Sequence, residues 1–244
     1  MAKAPVIGAT TSELASIARS ATDASGYFPA LYARVTERVA HDIAQGRFED
    51  GPRMDRFATT FASFYTRTRR REVPPPRCWE ASWRAAANPG LLIVQHLLLG
   101  VNAHVNHDLP LAVVDLAGPG RDIDDLRADF DAINDTLAKT VHLVLRDLDR
   151  VSRWANEAAA LGGGRLFNFS LQAARSHAWA AAQRLSRIED DTAKGLYLLE
   201  LDRLVSVLAY LITRPGVALT PLLWLARRAE EHDPSTVVAA LLGP

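Results

Sequence analysis

Histidine and aspartate, two residue types that ligate metals and transfer protons, recur within the apolar segment 91–115. This segment reads LLIVQHLLLGVNAHVNHDLPLAVVD and includes His96, His104, His107 and Asp108. His104 and Asp108 lie four residues apart, so their side chains are neighbours if the segment is helical. At that spacing an imidazole and a carboxylate can bind one cation together or hydrogen-bond to each other. We therefore predict a polar site centred on this pair.

The element that positions the pair is predicted to be a helix, because roughly twenty residues without a breaker exceed the length of an ordinary strand. At about 100° per residue, one stripe of this helix carries His96, Gly100, His104, Asp108 and Asp115. His96 lies about 12 Å from His104 along the axis, too far to share an ion. Pro110 supplies no N–H to the carbonyl of Asn106, which predicts a kink or a helix end beside the pair.

Three interpretations of the pair remain open. His104 and Asp108 could bind one divalent metal such as zinc, manganese or iron, with a third ligand from another helix, because catalytic zinc generally has three protein ligands. They could instead form a metal-free acid/base or recognition dyad inside an apolar pocket. They could also be a buried hydrogen-bonded pair, with Asn102 and Asn106 tying neighbouring helices together.

The metal interpretation assigns roles to further residues. The candidates for the third ligand are Asp55, His177 and Asp129, of which Asp55 is preferred. The metal-bound water would be the nucleophile, with His107 or Asp115 as catalytic base. The residues predicted to contact substrate are Asn102, Asn106, Arg56, Arg175 and Trp179.

Composition excludes several classes of function. Lys and Arg balance Asp and Glu at 28 each in 244 residues, so charge gives no argument for nucleic-acid or membrane binding. Cys78 is the single cysteine, which excludes an internal disulfide and fits a reducing cytoplasm. No run reaches a membrane span and no phosphate-binding loop precedes a helix, so we expect no nucleotide cofactor. The expected partner is a small-molecule substrate, and a homodimer is an open alternative.

No strand-like alternation and no internal repeat occur, so we predict an all-α fold, a single-domain bundle of about eight helices spanning 1–244. The N-terminus over 1–10 is predicted to be flexible and 161–165 to be a hinge. Thr11 and Ser12 are predicted to cap the first helix, and Ser170 to cap a later helix that runs through Ser186. The pocket is predicted where four segments converge, namely Arg53 to Phe64, Gln95 to Asp115, Phe130 to Thr140, and Ser170 to Trp179.

The run around Gly100 resembles helical zinc-dependent phospholipase C and nuclease phosphoesterases. The matching residues, in order, are Leu99, Gly100, His104, Asp108 and Pro110. In that family the histidine and aspartate ligate one zinc of a cluster. Here Leu111 and Ala112 follow the proline where the family has a further ligand histidine, and Arg146 follows His142 where the family has an acid. The resemblance therefore implies at most a one-metal site.

Over some two thirds of its length the chain resembles a family of uncharacterised all-helical bacterial proteins. The matching stretches are Arg53 to Arg56, Pro76 to Trp79, Gln95 to Asp108, and Phe169 to Trp179. This resemblance implies a shared fold and pocket but no activity. The first functional hypothesis is a metal-assisted hydrolase of phosphoesters, and the alternative is a metal-free helical enzyme or small-molecule-binding protein of secondary metabolism. The third functional hypothesis is an oligomeric structural protein, in which the polar residues of the central helix only fix the register of the helices.

Overall fold

A computed structural model describes residues 6–118, 122–148, 151–152, 164–214, 216 and 220–243. These residues are mostly helical and contain no β-strand, which confirms the predicted all-α fold. The predicted hinge at 161–165 falls largely outside the described residues, as does the start of the predicted flexible N-terminus. None of the described helices is both long enough and apolar enough to cross a membrane.

The described helices are α1 Val6–Ser20, α2 Tyr27–Ala44, α3 Gly51–Arg69, α4 Arg77–Ala86, α5 Ile93–Ala103, α6 Leu109–Ala117, α7 Arg127–Leu148, α8 Gly164–Ser186, α9 Asp191–Thr213, α10 Thr220–Arg227 and α11 Pro234–Leu242. The first three pack against one another, α4 and α5 pack against α9, and α6 packs against α3 and α8. The segment that carries the His–Asp pair is therefore enclosed by helices from both halves of the chain.

The central segment is one helical path interrupted by a π turn over His104–Asp108, between α5 and α6. Pro110 has no N–H and its ring would clash with a carbonyl one turn earlier, so a regular α-helix cannot pass through it undisturbed. The N–H of Leu109 instead bonds to the carbonyl of His104, five residues back. The predicted kink is thus confirmed, in the form of a widened turn of the kind often found at functional sites.

Distant side chains fix where α5 begins. Glu230 accepts a hydrogen bond from the backbone N–H of Ile93 at 2.9 Å. The amide of Gln95 accepts from the N–H of Leu92 and donates to the carbonyl of Ile212. These bonds satisfy groups that a helix end leaves without partners, and they tie α5 to the C-terminal part of the chain.

Two helix starts differ from the prediction. α1 begins at Val6, and Thr11 and Ser12 lie inside it, where their hydroxyls donate to the carbonyls of Ile7 and Gly8 one turn earlier. Ser and Thr make this bond within helices, so their presence did not mark a helix start. α8 likewise begins at Gly164, ahead of the predicted start at Ser170.

Candidate functional site

Asp108 is the centre of the polar site. Its side chain is almost completely buried, at 2% exposure. One carboxylate oxygen, Oδ2, accepts a hydrogen bond from the indole Nε1–H of Trp79 at 2.9 Å and lies 3.2 Å from Nδ1 of His104. The other oxygen, Oδ1, lies 2.9 Å from Nδ1 of His107. The predicted contact between His104 and Asp108 is therefore present, and the carboxylate also serves a second histidine.

The electrostatics of this cluster leave Asp108 ionised and His104 neutral. Burial alone would raise the pKa of Asp108, but hydrogen bonds from His104 and His107 outweigh it and hold that pKa below its usual value. Burial lowers the pKa of His104, against the opposing effect of Asp108. A neutral imidazole beside a carboxylate presents its N–H to that carboxylate. Nδ1 of His104 is thus the donor, and Nε2 carries the free lone pair.

The ring of His104 is held by aromatic side chains. It stacks on Phe61 with ring centroids 3.7 Å apart and planes within 6°. Tyr32 meets it edge-on at 4.4 Å, and Phe28 does so at 5.4 Å. Because these neighbours lie on α2 and α3, the orientation of the imidazole is set by tertiary packing as well as by Asp108.

Nε2 of His104 is buried and has no hydrogen-bond partner among the residues that the structure describes. A buried acceptor without a partner costs roughly 1–3 kcal/mol, and such exceptions are rare in folded proteins. His104 also lines a largely apolar cavity in the described part of the chain. His104 therefore combines an acceptor that has no partner among the described residues with a position in the cavity wall.

The cavity has a volume of about 130 Å³ and a largely apolar wall formed by α2, α3, α5, the π turn, α7 and α8. An apolar cavity of roughly 150 Å³ can hold one aromatic ring. The polar side chains in the wall are Tyr32, Thr36, His104, Thr140 and Arg175. The predicted convergence of four segments is confirmed, since each of the four contributes to the wall.

Sequence reasoning missed α2, which contributes side chains from Phe28 to Val39. Apolar residues at three- and four-residue spacing between Pro29 and Ala44 are typical of an amphipathic helix. Such a pattern indicates one buried face but not that part of this face borders a void. Only the position of α2 relative to α5 and α7 decides that, so no local signal in the sequence could have found it.

Arg175 is the one cation in the cavity wall of the described residues. It is 4% exposed, donates to the carbonyl of Phe130, and its guanidinium lies 4.1 Å from the centre of the Phe130 ring. Burial lowers its pKa to about 9, so it remains charged at neutral pH. Trp179, also predicted to contact substrate, packs on Phe130 outside the cavity wall, with ring centroids 4.7 Å apart.

The side chains of Asn102 and Asn106, both predicted to contact substrate, make hydrogen bonds within the fold. The amide of Asn106 donates to the side-chain oxygen of Asn102 at 3.0 Å. The amide of Asn102 donates to the backbone carbonyl of Val205 on α9 at 2.9 Å. The two asparagines therefore tie the central segment to α9, as the third interpretation of the polar residues proposed.

Three further predicted site residues lie away from the pair. Asp55, the preferred third metal ligand, accepts a hydrogen bond from the N–H of Ile7 at the start of α1. Asp115 and Arg56 are exposed, because each projects from the solvent side of its helix. The predicted base Asp115 and the predicted substrate contact Arg56 thus lie on the surface of the described fold and not in the buried cluster around Asp108.

Of the other two candidates for a third metal ligand, one is hydrogen-bonded to other residues and one is exposed. Asp129 accepts hydrogen bonds from the guanidinium of Arg53 and from the N–H of Glu49. His177 is exposed on α8. No candidate third ligand joins His104 and Asp108 in the described part of the chain.

A different trio has the composition of a metal site. Ligand atoms of Cys78, His107 and Asp202, all buried, lie within 4.8 Å of one another, and this is the one such group among the described residues. Asp202 also accepts hydrogen bonds from the N–H groups of Arg77 and Cys78 at 2.9 Å each. Burial, followed by the nearby Asp108 and Asp202, raises the pKa of the Cys78 thiol. The group has ligand types that could hold a metal ion.

Spacing in the sequence could not have revealed this trio, since its members come from α4, the π turn and α9. Asp108 links it to the cavity: Oδ2 faces His104, which lines the cavity, and Oδ1 faces His107, which belongs to the trio. A carboxylate behind a histidine in this way is common around metal-bound histidines.

Fold and site together define an all-α protein whose central helix carries a buried histidine–aspartate pair beside an apolar cavity. A family model matches residues 7–215, and the chain belongs to this family, the family of unknown function DUF5995. The predicted membership of an uncharacterised helical family is thereby confirmed. Comparison with curated proteins and with solved structures found no match.

Proposed function

We propose that this protein binds an apolar small molecule in the cavity and that His104 and Asp108 act on it as a metal-free acid/base or recognition dyad. The observation that carries this proposal is that His104 lines the cavity while its buried Nε2 has no partner among the residues that the structure describes. A ligand O–H or N–H bonded to this atom would remove the cost of leaving it unsatisfied.

The geometry suits proton transfer as well as recognition. Asp108 fixes the tautomer in which Nε2 is the acceptor, the role that a carboxylate has behind a catalytic histidine. If Nε2 took a proton from a ligand, the adjacent carboxylate would stabilise the resulting imidazolium. The dyad could therefore serve as a general base toward an acidic O–H or N–H of an apolar substrate.

The wall of the cavity narrows the class of ligand. Its polar side chains are Tyr32, Thr36, His104, Thr140 and Arg175, and the rest are apolar. Arg175 already donates to the carbonyl of Phe130 and packs on the Phe130 ring. We therefore infer a mainly apolar small molecule with one hydrogen-bond donor for His104.

The donor requirement can be tested with indole and indene, which share a shape but differ in the N–H group. We expect titration calorimetry to give a dissociation constant roughly fivefold lower for indole than for indene, equivalent to ~1 kcal/mol for one hydrogen bond. His104→Phe keeps a ring that can stack on Phe61 but removes the acceptor. This variant is expected to bind both compounds with similar affinity.

A second variant controls for the cavity itself. Ala58→Phe places a large side chain into the wall and is expected to abolish binding of both compounds while the protein stays helical by circular dichroism. Equal affinity of the unsubstituted protein for indole and indene would contradict the role of Nε2. Undiminished binding to the Ala58→Phe variant would contradict the location of the ligand.

Metal-assisted hydrolysis of a phosphoester is the second candidate function, and the trio of Cys78, His107 and Asp202 is the observation that favours it. Zinc suits this mixed sulfur, nitrogen and oxygen set better than manganese, which prefers oxygen ligands. Three protein ligands would leave a position for a water nucleophile. In this proposal Asp108 orients His107.

Cobalt(II) distinguishes the two candidates because a Co–thiolate bond absorbs in the near ultraviolet. If the trio binds metal, titration should give one bound ion per chain with a thiolate charge-transfer band. That band should be lost in Cys78→Ser. Affinity should fall by more than about 100-fold in His107→Gln, because this variant loses a ligand, whereas loss of a ligand's hydrogen-bond partner costs about 10–100-fold. His104→Gln is the matched control and should retain the ion. No thiolate band, or equal loss in both histidine variants, would rule this site out, whereas the indole test would be unaffected.

A further inference from the structure

The outward face of α9 is apolar although the helix lies on the surface. Seven large apolar side chains between Leu196 and Leu211 are 45–65% exposed. The opposite face of the same helix, with Leu201, Val205 and Ala209, is buried. A surface helix normally has polar residues on the side away from the core. α9 instead has a second apolar face, which is exposed in the described fold.

The size of this face matches one side of a stable protein interface. Half-exposed side chains of this size leave on the order of 100 Å² each, so the seven together expose roughly 700 Å². A standard interface buries about 800 Å² per partner. Monomeric proteins rarely expose contiguous apolar patches above a few hundred Å². The face is therefore large enough to sustain association by itself.

The charges on this face indicate what covers it. Glu200 and Arg203 lie three residues apart on α9, both exposed and on the side opposite the buried residues. A second α9 running antiparallel across the face can set each Glu200 against Arg203 of the other copy. An anionic membrane would attract the arginine but repel the glutamate, so the mixed signs favour a second copy.

We propose that two copies of this chain associate through α9 in an antiparallel, two-fold symmetric pair. In such an interface the same surface is used on both copies. The apolar side chains form its centre, and Glu200 and Arg203 set the register of the two helices. This dimer is independent of the cavity and of the Cys78 trio, so it can be tested separately from both proposed functions.

Sedimentation velocity of the full chain over roughly 1–100 µM is the direct test. The unsubstituted protein is expected to be a dimer in this range. Val207→Glu, near the middle of the face, should raise the dissociation constant by about 100-fold or more, because it buries an unpaired charge. The control is Ala239→Glu on α11, which introduces the same carboxylate at an exposed position of another helix and should leave the dimer intact.

A charge exchange tests the antiparallel register. Glu200→Arg alone and Arg203→Glu alone should each weaken the dimer by repulsion across the two-fold axis. The double variant, with both signs exchanged, should restore it. Circular dichroism verifies that every variant is folded.

Three results would overturn the proposal. A monomeric protein over the whole concentration range would exclude the dimer, and equal effects of Val207→Glu and Ala239→Glu would exclude α9 as its site. Failure of the double variant to restore association would exclude the antiparallel register. If a monomeric protein instead bound vesicles of anionic lipid, the apolar face would be a membrane-docking surface and the second copy would be the wrong occupant.

Discussion

Replacing Asp108 with alanine is expected to lower the free energy of unfolding by about 3–5 kcal/mol, as for other buried charged groups that lose one partner. The carboxylate is 2% exposed and contacts three donors, the indole N–H of Trp79 and the Nδ1 atoms of His104 and His107. Without it, these donors remain buried with nothing to bond to, and each such group costs roughly 1–3 kcal/mol. Denaturant unfolding followed by far-ultraviolet circular dichroism measures the change.

Asp115→Ala is the matched control for this substitution. Asp115 lies on α6, one to two turns after Asp108, and is exposed. Surface substitutions of this kind usually change stability by less than ~0.5 kcal/mol. If Asp108→Ala lowered the free energy of unfolding as little as Asp115→Ala does, the buried cluster would not stabilise the central helix.

Gly100→Ala should have the second large effect, a loss of about 3 kcal/mol in the free energy of unfolding, at the upper end of the range typical of overpacked cores. A Cβ atom at Gly100 would lie 2.4 Å from Cγ of Phe28 and 2.5 Å from its Cβ. The ring of Phe28 cannot easily move away, because it packs against Tyr65 and Trp79 with ring centroids 5.2 and 5.3 Å apart. The absence of a side chain at Gly100 is what lets α5 approach α2 so closely.

Gly195→Ala is expected to have the opposite effect on the stability of the same fold. Gly195 lies in α9, is exposed, and has nothing within 4 Å of an added Cβ atom. Alanine at such a helical position is expected to stabilise the protein by roughly 0.5–1 kcal/mol. If thermal and denaturant unfolding showed that both substitutions change stability in the same direction, this result would contradict the close contact between α5 and α2.

Asp108 also determines how the proposed functions can be separated experimentally. Its two oxygens face different histidines, so its removal would disturb the cavity and the Cys78 trio together. Substitutions at His104 and His107 act on one side each. Their contrasting effects on indole binding and on cobalt binding are therefore more informative than loss of both in an Asp108 variant.

Several features of the site were predictable because they depend on short separations along the chain. The four-residue spacing of His104 and Asp108 predicted their contact, since helical geometry alone brings such side chains together. Pro110 predicted the interruption of the helix, because its missing N–H acts on the turn directly before it. The apolar periodicity predicted helices throughout the described residues, although helix starts at Val6 and Gly164 were placed too late.

Side-chain partners from other helices could not be read from the sequence. Asp55 was the preferred third metal ligand, and its carboxylate accepts a hydrogen bond from the N–H of Ile7 at the start of α1. Asn102 and Asn106 were polar residues in an apolar run, which suits a substrate contact and a helix–helix tie equally well. The carbonyl of Val205, about a hundred residues further on, accepts the hydrogen bond from Asn102 that ties the two helices together.

The amino-acid sequence by itself determined the helical fold, the turn at Pro110 and the adjacency of His104 to Asp108, because these follow from backbone geometry over one or two turns. Only the tertiary structure decided that α2 completes the cavity, that Nε2 of His104 has no partner among the described residues, and that Cys78 and Asp202 lie beside His107. The physical reason is that burial, the sharing of one carboxylate between two histidines, and an empty volume all arise from packing between helices far apart in the chain.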